Sequence, residues 1–171
     1  VRIFYKKNLE KKMKKMRNLF LIVIAGVFFT ACQTRSISNA SLTTIPDHAQ
    51  QQFRLNNQAL RFEVVDTPQS MAQGLGDRSE IGSDGMLFVF PSVGAPIFWM
   101  KDMHFDLDLV WLKDLRVADI TPNVPQPQAG QPLNQLPTYS PKVPVNMVLE
   151  IPAGTVQKWR LKIGDQFSQT P

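Results

Sequence analysis

FWMKDMHFDLDLVWL, residues 98–112, is the stretch whose reading decides the fold. Taken from Asp102 as a β-strand, its side chains sort onto two faces with a period of two residues. One face carries Met103, Phe105, Leu107, Leu109 and Trp111. The other carries Asp102, His104, Asp106 and Asp108 before turning apolar at Val110 and Leu112. A strand with one apolar face has to bury it against other layers of a sheet protein. The row of three carboxylates and a histidine opposite either meets solvent and a few basic partners or lines a site.

Working outward toward the N-terminus, residues 97–101 extend the same strand. Residues 86–90, MLFVF, are a continuous apolar run that fits a strand buried on both faces. Asp84-Gly85 reads as a turn, and Pro91 and Pro96 bracket the next one. Thr67-Pro68 predicts a helix start, with Thr67 as N-cap and Pro68 at the first helical position. That helix runs through residues 69–73 and ends at Gly74 or Gly76. Residues 60–65, LRFEVV, alternate as a half-buried strand does.

Toward the C-terminus, Lys113-Asp114 turns the chain into a strand at 116–121. Residues 122–144 hold seven of the 13 prolines. They predict a long connection with little regular structure, of the kind used for lids, binding loops or disordered segments. Residues 146–151, NMVLEI, return to strand. Gly154-Thr155 opens a short helix through Lys162, with Val156, Trp159 and Ile163 spaced for its buried face. Gly164-Asp165 closes it, and residues 166–168 add a last strand. The fold class is therefore mainly β, a small sandwich or barrel-like domain with two short helices over residues 59–171.

The formal charge of +5 over 171 residues suggests an acidic partner until the charges are placed. Residues 1–31 hold eight basic residues and one acid; from Cys32 onward there are 11 basic and 13 acidic residues, a net of −2. A slightly acidic body has no electrostatic footprint for nucleic acid. The basic segment has the parts of an export signal: a cluster ending KKMKKMRN, 13 apolar residues from Leu19 to Ala31, and small residues before the lone cysteine. A spanning helix needs about 20 apolar residues. Thr30-Ala31-Cys32 resembles a bacterial lipoprotein lipobox, with Cys32 lipidated as the mature N-terminus; Phe29 departs from the usual Leu. Gln33 after the cysteine resembles the pattern of lipoproteins sent to the outer membrane of diderm bacteria, where the domain would face the periplasm. The alternative is an uncleaved signal anchor. Met13 or Met16 opens a signal of ordinary length, so residues 1–12 read as an upstream misread. Residues 32–58 form the lipidated cysteine and a polar tether, and about 20 flexible residues span roughly 25 Å. His48 reads as a solvated histidine there.

Further motifs occur in order along the domain: Gly74-Leu75 with Arg78, Gly85-Met86-Leu87-Phe88, Phe98-Trp99-Met100-Lys101, Leu107-Asp108, Leu149-Glu150 with Ala153-Gly154, and Gly164-Asp165. Together they resemble the bacterial and archaeal family called domain of unknown function 192, over about residues 60–167. Family members often have Asn-Thr where this chain has Asp102-Met103, and Pro where it has Asp106. The resemblance implies a compact β-rich fold and no reaction.

Several chemistries fit the acidic row. Residues two apart on a strand are about 6.6 Å apart, so His104, Asp106 and Asp108 could converge on a divalent metal. The same three could serve a metal-assisted or carboxylate-based hydrolase. The structural reading pairs them with cations, Arg78 with Asp108 first and Arg61, Lys101 and Arg116 after it. Met100, Met103 and His104 suit Cu(I) by softness, but the two methionines point to opposite faces of a strand and read as core filler. Trp99, Trp111, Tyr139 and Trp159 could form an aromatic platform for sugar; core packing is the alternative for each, and Tyr139 is the best exposed. No nucleophile elbow, zinc-protease helix, phosphate loop or dinucleotide fingerprint occurs. With Cys32 committed to lipid, no cysteine nucleophile remains.

The sequence thus predicts a lipid-anchored envelope protein, partnered with the membrane through Cys32 and with an unknown envelope ligand or protein, not nucleic acid. It acts as a binding or accessory module whose mouth is formed by the acidic row and the Pro-rich segment. Ligand-contact candidates are Arg78, Asp102 and Tyr139, and no cofactor is expected unless a divalent metal is held. The rivals are the hydrolase and a purely structural envelope protein.

Overall fold

A computed structural model describes residues 46–55 and 58–170. The signal segment, Cys32 and most of the expected tether lie outside the described residues. Among the described residues there are nine strands: β1 (Gln50–Leu55), β2 (Gln58–Val65), β3 (Gly85–Gly94), β4 (Phe98–Trp99), β5 (Leu107–Lys113), β6 (Arg116–Val124), β7 (Thr138–Tyr139), β8 (Val145–Pro152) and β9 (Phe167–Gln169). Two short helices accompany them, α1 (Pro68–Gln73) and α2 (Thr155–Trp159). The mainly β expectation with two short helices holds.

Seven strands form one sheet in the order β6-β5-β8-β3-β2-β1-β9. Every neighbouring pair is antiparallel except β2 and β3, which are parallel and joined through α1. The sheet curls until its edges meet: Arg116 bridges Gln166, and the Phe167 amide donates to the Leu115 carbonyl at 2.9 Å. Edge closure removes the unpaired strand rims that otherwise invite aggregation. β4 and β7 form a separate two-stranded ribbon.

The curled sheet has two apolar faces. Inside lie Phe53, Phe62 and Phe167, with Trp159 of α2 against Phe62 at a centroid separation of 6.5 Å. Gly85 makes the inner face close: a Cβ there would lie 2.5 Å from the Glu150 carbonyl oxygen and 2.7 Å from Ile151. Gly85 is thus a packing position at the head of β3 rather than half of a turn. Outside, Met86, Phe88, Leu109, Trp111 and Val148 pack beneath Met71, Leu75, Phe98, Met100 and Met103. Phe98 meets Phe88, Phe90 and Trp111 edge-on.

Three expectations are corrected. The tether does not reach residue 58: Gln50–Leu55 is a strand paired along its whole length with β2. The stretch 98–112 is not one strand, because the chain turns at residues 100–106, with Asp102 at φ 58° and the Met103 amide bonded to the Met100 carbonyl. α2 ends at Trp159, with Arg160 as a left-handed cap, so Ile163 is exposed rather than on a buried helical face.

Candidate functional site

The turn at residues 100–106 dissolves the acidic row. Asp102 is half-buried and ion-paired with Lys101; His104 and Asp106 are exposed; Asp108 is fully buried. Asp106 accepts the Gln126 amide at 2.7 Å. Asp108 accepts the Asn123 amide on one oxygen and the Val156 amide on the other, both at 2.8 Å. It therefore ties the end of β6 to the start of α2. His104, Asp106 and Asp108 do not converge, and among the described residues no group of three or more His, Cys, Asp or Glu could hold a metal ion. Met100 and Met103 both enter the outer core while His104 stays outside it, so no soft copper triad forms. The aromatic platform also fails to assemble. Trp111 is buried and donates its indole N–H to the Thr121 hydroxyl, Trp159 packs on Phe62, and Tyr139 pairs with Phe98 and packs half-buried on the core. Burial raises the Tyr139 phenol above its ordinary value.

Asp108 nonetheless marks a concave site. A cleft of ≈ 490 Å³ opens at one end of the curled sheet, lined by Asp108, Pro122, Asn123, Gly154, Val156, Gln157, Arg160 and Leu161. One wall lies where the Pro-rich segment begins, at Pro122 and Asn123. The other wall is α2. Asn123 and Arg160 both adopt left-handed backbone conformations, φ 54° and 55°. Non-glycine residues at positive φ cost of order 1 kcal/mol and collect at functional turns. With both Asp108 oxygens already engaged, the rest of the polar lining is Asn123, Gln157 and Arg160, beside the apolar Pro122, Val156 and Leu161.

Arg78, expected to pair with Asp108, instead grips Glu63. Its two terminal nitrogens meet the two Glu63 oxygens at 2.7 and 2.9 Å. His48 Nδ1 lies 2.7 Å from Glu63 Oε1, and His48 itself is exposed. Hydrogen bonds from Arg78 hold the Glu63 carboxyl below its ordinary value against the opposing effect of burial. Behind this pair Glu150 is fully buried, and neither of its oxygens has a hydrogen-bond partner among the described residues. Desolvation pushes it up to about 7.

Sequence reasoning missed Glu63, Glu150, Gln157 and Arg160. Glu150 had a signal: it interrupts the apolar run of residues 147–151 at a position where a strand is buried on both faces. Glu63 had none, since an alternating strand places it on an apparently solvated face.

A single, edge-closed, mainly β domain with a polar cleft at one end defines a small β-barrel-like module. The chain belongs to the DUF192 family, described as uncharacterized ACR, which it matches over residues 51–169. It is also similar to two solved structures. One, from Sinorhizobium meliloti 1021 and described as a candidate transcription regulator, shares 28% identity at TM-score 0.62, over 72% of this chain and 95% of that one. The other, a protein of unknown function from Novosphingobium aromaticivorans DSM 12444, shares 23% identity at TM-score 0.59, over 80% and 99%. Among curated proteins no relative matches.

Proposed function

We propose that this chain is a lipid-anchored cell-envelope protein whose β domain is a binding or accessory module, with the cleft between β6 and α2 as its ligand mouth. The cleft carries the reading. Its ≈ 490 Å³ falls within the roughly 300–1,000 Å³ of small-molecule sites. Its lining combines Arg160, Gln157 and Asn123 with the apolar Pro122, Val156 and Leu161. That chemistry suits a small ligand bearing an anionic or acceptor group beside an apolar part. The hydrolase reading loses its geometric support, because His104, Asp106 and Asp108 are spread between surface and core.

Anchoring rests on the apolar 13-residue segment followed by Cys32, and on a single cysteine placed at the lipidation position. Stable attachment needs two or more acyl chains, which a lipidated N-terminal cysteine supplies. In a diderm bacterium Gln33 favours the outer membrane, with the domain in the periplasm. The net charge of −2 from Cys32 onward argues against nucleic acid as partner.

The test is ligand-detected NMR on the full chain in detergent, against small carboxylates, sugar phosphates and cell-wall peptides. A hit that Arg160→Ala weakens about tenfold, the size of one charge-assisted contact, supports the cleft. Hits that bind the Arg160→Ala chain equally well, or an empty screen, reject it. For the anchor, Cys32→Ser should leave the membrane fraction or keep its signal; unchanged processing and lipid labelling would count against it.

A further inference from the structure

Glu150 is a fully buried ionisable side chain whose two oxygens have no hydrogen-bond partner among the described residues. On the sheet it stands in the row Glu63–Met86–Glu150–Leu109, contributed by β2, β3, β8 and β5. Paired residues in a sheet share a face, so Glu150 enters the outer core between Met86 and Leu109, neither of which can answer a charge. Among the described residues, the cation that acts on it is Arg78. Arg78, however, already spends its two terminal nitrogens on Glu63. One guanidinium thus serves two carboxylates and hydrogen-bonds only the outer one.

Among the described residues the surrounding charges are few. The segment after α1 contributes Arg78 and Asp77. The turn after β4 contributes Lys101 and Asp102, paired with each other. β2 contributes Glu63, and His48 and Asp47 reach the site only through Glu63 and one another. Two covering segments meet above this region at one seam: the Asp77 amide donates to the Asp102 carbonyl at 2.8 Å. Both residues are held at positive φ, 62° and 58°. Leu75 and Ile81 from one segment and Met100 and Met103 from the other belong to the same core as Met86 and Leu109.

We propose that Arg78 is a two-position latch: while Glu150 is protonated, Arg78 stays locked on Glu63 and the seam is closed, and ionisation of Glu150 draws Arg78 inward and loosens the seam. The step releases one proton from Glu150 to solvent and moves one ion-pair partner; nothing else changes. An unpaired buried charge is costly enough to drive such a rearrangement. Burial places the switch near neutrality, whereas Glu63 remains ionised on both sides of it.

Hydrogen–deuterium exchange of the full chain in detergent, corrected for the intrinsic pH dependence of amides, tests the latch. Peptides covering residues 74–81 and 100–106 should exchange about tenfold faster at pH about 8 than at about 5.5. Glu150→Gln should abolish the difference, and His48→Gln should preserve it. A wild type without the difference, or a difference that survives Glu150→Gln, overturns the proposal. Should Glu150→Gln not fold, carbon-13 NMR of the wild-type Glu150 carboxyl decides. A midpoint near 7 with a coincident change at Arg78 supports the latch, and a midpoint below about 6, or a silent Arg78, overturns it.

Discussion

Two buried carboxylates in this domain have opposite fates. Asp108 accepts an amide on each oxygen and so behaves as a clamp between β6 and α2. Asp108→Ala would leave two N–H groups without acceptors and should cost about 2–4 kcal/mol, measured by urea unfolding. A loss under 1 kcal/mol would mean that water replaces the clamp. Glu150 has no such donors. Its folded pKa is raised from 4.5 to about 7, so the folded state binds its proton more tightly than the unfolded state does. The associated stability is complete below 4.5 and is lost as pH rises through about 7, a change of about 3 kcal/mol. Glu63 acts in the opposite direction: its lowered pKa gives stability present above the unfolded value and lost as pH falls through the folded one. Wild-type stability should therefore decline from pH about 4.5 to 8. Glu150→Gln should flatten that decline and be the more stable chain at the alkaline end.

At the scale of elements, the hairpin between β5 and β6 shows what a local rule can and cannot say. Its two loop residues, Asp114 and Leu115, both have positive φ, 53° and 63°. That is the tight turn whose twist matches paired strands, and its second position favours glycine. Leu115→Gly should relieve strain and raise stability by about 0.5–1 kcal/mol, read as a shift in the thermal midpoint. A loss instead would show that the half-buried leucine contributes more by packing than it costs in backbone strain. α1 was legible in advance because its cap is chemical and local. Thr67 accepts the Ser70 amide and Ser70 reaches back to Thr67, with Pro68 in the first turn and Gly74 at the end. Strand β5 was legible from Leu107 onward, where alternation holds and both faces are buried. Residues 100–106 were not. Alternation counts apolar residues and cannot tell a strand from a turn that brings Met100 and Met103 into one core.

For the whole molecule, closure depends on β1. It pairs with β2 on one side and β9 on the other, and β9 in turn meets β6. A chain begun at residue 46 should fold and run as a compact species in size-exclusion chromatography. One begun at residue 58 lacks β1, exposes the edges of β2 and β9, and should aggregate or unfold. Equal thermal midpoints for the two would show that β1 is dispensable to closure.

The sequence by itself determined the mainly β class, both helix starts, the family and the apolar face of β5 that carries Leu107, Leu109 and Trp111, because caps, motifs and the period of two are read from neighbouring residues. Only the tertiary structure decided which carboxylates find partners. Arg78 meets Glu63 across 15 residues of sequence, and Asp108 meets Val156 across 48. Such pairings are set by strand order and by a curled sheet closing on itself, and no local pattern encodes them.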